Sequence, residues 1–204
     1  MRFATIFILT ILTINANLIP QKSYGSVEEV TSSNIKVSNL IAKDGMSAAV
    51  VRSFPNGKEL IVSYIMKKGS RVVVIDKDPL DGRGLARPKA LVKVGDKVIS
   101  GFLYDKVMIL ANNKENFYNI QSQFGIDSLN PDNFMAFLAA KGKSSYNYSD
   151  LREFGKLVGI GVFVVQKGNR LEVVDAISKK VINSANFNSS NKAKIKPFYN
   201  SFSN

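Results

Sequence analysis

The 204-residue chain has no cysteine and no histidine, and each absence removes chemistry. Without cysteine there are no disulfide staples, so a hydrophobic core must stabilise the fold alone. There is also no thiol to carry a lipid anchor. With histidine missing as well, most transition-metal sites go, because zinc sites lean on thiolate and imidazole ligands. Ser-His-Asp and Cys-His nucleophile systems go with them. What remains for catalysis is a carboxylate pair or Ser-Lys chemistry. Asp150 and Glu153 stand three apart on a predicted helix and read as a solvated face, and the Ser-x-x-Lys of Ser189 and Lys192 lies in a polar tail. A catalytic carboxyl needs a pocket that shifts its pKa. The expectation is a non-enzymatic protein, with a carboxylate-based hydrolase as an alternative.

Long apolar runs are also scarce. The main one, Phe3 to Ile14 (FATIFILTILTI), follows a single positive charge, Arg2, and ends in Asn15, Asn17 and Pro20. It is shorter than the ~20 residues that span a bilayer. A charged start, a short apolar stretch and a small-residue exit are the parts of an export signal. Residues 1–25 therefore read as a signal peptide, cleaved after Ala16 or Gly25, or as an uncleaved anchor to an inner membrane. Val158 to Val165, the most apolar later stretch, is strand-sized. An exported protein, periplasmic or secreted, is expected.

Acids are the third shortage. The chain carries 28 Lys and Arg against 16 Asp and Glu, and the part after Gly25 keeps a net charge of +10. Such an excess suits anionic partners: phospholipid head groups, acidic polysaccharide, nucleic acid or an acidic protein face. It equally suits lysines that only solvate the surface. The cations cluster in three places: Lys67, Lys68 and Arg71; Arg83, Arg87 and Lys89; and Lys192, Lys194 and Lys196. The tail also carries Phe187, Phe198, Tyr199 and Phe202, and basic residues interleaved with aromatics are a pattern seen in nucleic-acid and membrane-interface segments.

What is present divides the chain in two. Residues 26–45 are polar with scattered apolar positions and read as a linker or a short amphipathic segment. Ser47 to Phe54 and Lys58 to Met66 flank Pro55-Asn56-Gly57, a strong hairpin signal, since Asn and Gly tolerate positive φ. Lys67-Lys68-Gly69 reads as a turn into Arg71 to Asp76. Leu91 to Val94 and Lys97 to Ser100 flank a reversal at Gly95-Asp96. Residues 46–103 thus form a β-rich antiparallel unit. Beyond it, Asp105 to Ala111 is strand-like. Asn113 to Phe124 carries Phe117, Ile120 and Phe124 at helical spacing, with Gly125 as a stop. Asn130-Pro131-Asp132 starts a second helix ending at Gly142, and Ser149-Asp150 starts a third, with Leu151, Phe154, Leu157 and Val158 on one face. Ile160 to Gln166, Arg170 to Ala176 and Lys179 to Ser184 are strand-like. Residues 104–186 form an α/β unit and residues 187–204 a mobile basic tail. The predicted fold class is α+β: an antiparallel β-rich unit, then a mixed sheet covered by about three helices.

Two motifs suggest ligands and fall short. Asp76, Asp78, Asp81 and Gly82 resemble a calcium loop, but its fifth position is Leu80 and its twelfth Arg87. Gly82-Arg83-Gly84 follows a strand, yet it lacks a third glycine, and Pro88 breaks the helix a dinucleotide site requires. No metal, nucleotide or other cofactor is expected. Asn147-Tyr148-Ser149 and Asn188-Ser189-Ser190 match glycosylation acceptors, with no further sign of a eukaryotic route.

The segment LREFGKLVGIGVFVVQKGNRLEVVDAISKKVINS is similar to a recurring envelope pattern. In it a helix ending near Leu-Gly leads to a strand, then to a strand reading Val-Asp-Ala followed by Lys-Val-Ile. The matching positions are Leu157, Gly159, Val162 to Val165, Val174, Asp175, Ala176 and Lys180 to Ile182. Residues 104–186 in this respect resemble the TolB amino-terminal domain and the periplasmic part of the curli-secretion lipoprotein and related flagellar proteins. They depart from it where Gln166 replaces the glycine that usually ends the first strand. The resemblance implies an α/β sandwich that docks with envelope proteins in a secretion, pilus, flagellar or conjugation assembly. The alternative is a secreted effector or binding module for an anionic ligand.

Overall fold

The computed structural model describes residues 17–31, 34–76 and 91–190. Strands β1 (Ser23–Val30), β2 (Ile35–Ser38), β3 (Ser47–Ser53), β4 (Glu59–Lys68), β5 (Arg71–Asp76) and β6 (Lys97–Ser100) form one antiparallel sheet in the order β2-β1-β6-β3-β4-β5. The sheet curls until its two edges lie side by side, and the Val72 N–H reaches Asn34 Oδ1 at 3.4 Å. Val27, Ile35, Ala48, Val50, Val62, Ile65 and Val98 fill its inside. The Pro55-Asn56-Gly57 hairpin forms as expected between β3 and β4. Gly57 takes φ 74°, and Asn56 Oδ1 accepts from the Lys58 N–H.

Residues 26–45 are not a linker. They contain β2 and most of β1, with a bulge between Val27 and Glu29. In β1 only Val27 is fully buried, so the strand lacks the alternation that would mark it. Lys67 and Lys68 likewise belong to β4, and the reversal comes after them. Leu91 to Val94 is irregular; Arg52 holds it by donating to Leu91 O and pairing with Asp96 at 2.7 Å.

The second sheet is mixed. Its elements are β7 (Val107–Leu110), α1 (Lys114–Phe124), β8 (Ser128–Leu129), α2 (Asp132–Ala140), α3 (Tyr148–Val158), β9 (Val162–Lys167), β10 (Arg170–Asp175) and β11 (Lys180–Asn186). The order is β11-β10-β9-β7-β8, with β7 parallel to both neighbours. Strand alternation sends Val107, Ile109, Val162 and Val164 to one face, under Phe117 and Ile120 of α1. It sends Met108, Leu110, Phe163 and Val165 to the other, under α2 and α3. There Phe134 is completely buried among Tyr146, Phe154 and Phe163. The two sheets and three helices of the described residues give the predicted mixture of strand and helix, with strand predominating.

Local chemistry sets the helix ends. Asn113 caps α1 by accepting from the Asn116 N–H, and Gly125 ends it at φ 61°. For α3 the cap is Asn147, two residues before the expected start, in a reciprocal capping box with Asp150. Leu157, expected on the apolar face of α3, is instead 70% exposed. The two sheets meet through Ala49, Val51, Tyr64 and Ile177. They are also joined by Asp76 of β5, which pairs with Arg152 and Lys156 of α3. No helix among the described residues is long and apolar enough to cross a membrane.

Candidate binding surface

The surface is organised by a residue that never reaches it. Asp175 ends β10 completely buried. Its Oδ2 accepts from the Ser47 N–H at 2.7 Å, the Ser47 hydroxyl at 2.8 Å and the Tyr104 hydroxyl at 2.6 Å. Its Oδ1 accepts from the Ser178 N–H at 2.8 Å, and its carbonyl from the Lys179 N–H at 2.9 Å. Burial, reinforced by the neighbouring carboxylate, pushes the Tyr104 hydroxyl far above its ordinary pKa, so it stays a donor. One carboxylate thus ties β3 of the curled antiparallel sheet, whose edges meet like a barrel's, to the turn between β10 and β11.

That turn carries the charge. Lys179 sits at φ 62°, in the left-handed region that favours glycine, at a cost of about 1 kcal/mol for a residue with a Cβ. Lys180 follows, its N–H donating to Ser178 Oγ at 3.2 Å. On the barrel side, Met46 and Gly45 exchange backbone hydrogen bonds with Lys67. Gly45 has φ 82°, and a Cβ there would come within 2.9 Å of the Lys180 Cβ. Glycine is needed on both counts, and this close approach sets the Gly45 backbone, bonded to Lys67, against Lys180, with Lys43 and Lys68 a residue or two along the chain. Across the β4–β5 ladder, Lys68 is opposite Arg71.

The result is a cationic seam where the barrel meets the mixed sheet. Among the described residues, Lys43, Lys67, Lys68, Arg71, Lys179 and Lys180 have no carboxylate in ion-pair range, whereas Arg52, Lys97, Arg152 and Lys156 all do. Lys67 is half-buried, its ammonium donating to Ala42 O at 2.7 Å. Lys179 is half-buried too, whereas Lys43, Lys68, Arg71 and Lys180 are exposed. Asp44 lies at the seam and accepts from the Gly69 N–H. Next to Lys179 and Lys180 an open depression of about 360 Å³ is walled by Ser178 and by Asn147, Tyr148 and Ser149 at the start of α3.

Of the cations the sequence singles out, Lys67, Lys68 and Arg71 lie at this seam. Arg83, Arg87 and Lys89, and Lys192, Lys194 and Lys196, lie outside the described residues, as do Asp78, Asp81 and the Gly82-Arg83-Gly84 loop. Sequence reasoning missed Lys43, Lys179 and Lys180. Their only signals were the Lys43-Asp44-Gly45 and Lys179-Lys180 steps, each unremarkable alone.

The other candidates resolve into structural roles. Asp76 is engaged by α3, and no group of three acids among the described residues could hold a metal ion. Asp150 is not on a solvated face: it is buried, caps α3 and pairs with Lys143. The tail is not free from its start. Phe187 is 3% exposed, and residues 189–190 are gripped by three buried amides. Gln166 Nε2 donates to Ser189 Oγ at 2.9 Å, the Ser190 N–H donates to Asn116 Oδ1 at 2.9 Å, and Asn113 Nδ2 donates to Ser190 O at 3.3 Å. Gln166, the departure from the envelope pattern, is one of these three.

Residues 25–204 match the family described as plasminogen-binding protein pgbA N-terminal. No curated protein and no solved structure matches the chain.

Proposed function

Because the chain belongs to the plasminogen-binding protein pgbA N-terminal family, we propose that it is an extracellular protein-binding module and that plasminogen is its partner. The match over residues 25–204 carries this reading, since it spans both sheets rather than one motif. The unpaired cations support it: a surface with spare positive charge attracts an acidic protein face and speeds encounter. The reading assigns the chain no catalysis. It sits closer to the expected secreted binding module than to a component of an envelope machine, which rests on the export signal, the missing catalytic residue types and the likeness of residues 104–186 to the TolB pattern.

The test is binding of the full chain to immobilised plasminogen, with serum albumin as an acidic control. The expected result is saturable retention on plasminogen that weakens as salt shortens the Debye length from ~10 Å toward ~3 Å, with little retention on albumin. Equal retention on both proteins, or none on plasminogen, refutes the proposed partner.

A further inference from the structure

We propose that the cationic seam is the docking surface for an acidic protein face, and that the Lys179–Lys180 turn is its central contact. This rests on the protein-binding reading above and deepens it by placing the site. The seam draws its cations from two separate sheets and leaves them without carboxylate partners among the described residues. Several cations at other element junctions of the described residues are paired. Arg152 and Lys156 meet Asp76, and Arg52 meets Asp96.

The backbone at the turn points the same way. Lys179 occupies a conformation that glycine would adopt without strain. The turn does not need the lysine side chain to form, because Asp175 holds it through the Ser178 and Lys179 N–H groups. A lysine at a position suited to glycine carries a backbone cost that a contact of its ammonium with the partner would offset. Asp175 is then a positioning residue: through Ser47 it holds the barrel half of the seam, and through Ser178 the turn half.

The family match favours a protein face over phosphates or bases. Five lysines and one arginine would pair with carboxylate and phosphate alike, so vesicle binding is the measurement that separates the two. The aromatic ring in the neighbouring depression, Tyr148, is covered by Lys167, and its hydroxyl meets Glu172, so it is no platform for stacking bases.

The experiment compares three forms of the full chain on plasminogen, on a polyglutamate peptide and on phosphatidylglycerol vesicles. The first is Lys68→Glu with Lys180→Glu. The second is Lys58→Glu with Lys93→Glu, which makes the same change in net charge at the opposite end of β3 on exposed residues. The third is Lys179→Gly. Plasminogen and polyglutamate binding should fall about tenfold in the first and by less than about twofold in the second. Lys179→Gly should unfold at higher urea than the parent yet bind several-fold more weakly, which a purely structural lysine would not do. Equal losses in both charge-reversed forms overturn the seam, as does unchanged binding by Lys179→Gly. Loss confined to vesicles overturns the protein partner in favour of a membrane. If plasminogen is not bound at all, the function proposed above fails while polyglutamate still reads the seam. If plasminogen binds and the seam variants are indifferent, the seam fails alone.

Discussion

The Tyr104 hydroxyl donates to Asp175 Oδ2 across 2.6 Å, joining the 101–106 connection between the two sheets to the buried end of β10. Removing this hydroxyl in Tyr104→Phe should cost about 1.5–3 kcal/mol, the value of a hydrogen bond to a charged acceptor. Asp175→Ala should cost more, at least about 3 kcal/mol, because it leaves several buried donors without an acceptor. Urea unfolding measures both. A loss under about 1 kcal/mol in Asp175→Ala would show that the carboxylate does not join the sheets.

Asp150 makes stability depend on acid. Burial pushes its carboxyl up, but Lys143, the Asn147 N–H and the charge of Lys141 together outweigh that and hold it below the usual carboxylate range. A group with a lowered folded-state pKa contributes stability that is complete above its unfolded value, about 4, and is lost as pH falls through the folded value. Asp150→Ala should cost about 1–2 kcal/mol at neutral pH. Its gap to the parent should narrow below about pH 4. Thermal melts across that range check the sign; a gap that widens in acid would reverse it.

The amides that hold residues 189–190 should fix this stretch against the mixed sheet. Asn116 is completely buried, bonding Ser189 and Ser190 with its side chain. Asn116→Ala or Gln166→Ala should release this strap at a cost of about 1–3 kcal/mol. Amide exchange should then speed up at Phe187 and Ser190, with new proteolytic cuts there. Unchanged exchange would mean that Phe187 alone anchors the segment.

The N-terminal boundary can be read from packing. Leu18 is buried, its carbonyl accepts from Asn183 Nδ2 at 2.7 Å, and Lys22 pairs with Asp105. Ser23, Tyr24 and Gly25 form ladder pairs with Ser100, Ile99 and Val98. A chain that starts at Ser26 forfeits all of this. Loss of Leu18 burial alone is worth about 1.5–3 kcal/mol. A chain that starts at Asn17 keeps these contacts. The Ser26 form should therefore melt several degrees below the Asn17 form. Sequencing of the exported protein should find the start at Asn17 if a signal is removed.

Legibility in the sequence followed the range of the interactions. The hairpin at Pro55-Asn56-Gly57 and helix α1 between Asn113 and Gly125 were readable because turn and cap chemistry is local, a few residues on either side. The first two strands were not, because β1 exposes most of its side chains and forms through pairing with β6, far along the chain. Gln166 looked like a mismatch to a pattern and proved to be a clamp, since its partners Asn112, Gly168 and Ser189 come from three segments.

The sequence by itself determined that this protein lacks thiol and imidazole chemistry, carries excess positive charge and alternates local strand and helix signals, because composition and short-range propensity are properties of the chain. Only the tertiary structure decided where the charge matters. Lys67 and Lys180 lie on either side of Gly45 because that glycine lets two sheets touch and Asp175 holds them in place. Electrostatic potential adds up over distance in space, not along the chain.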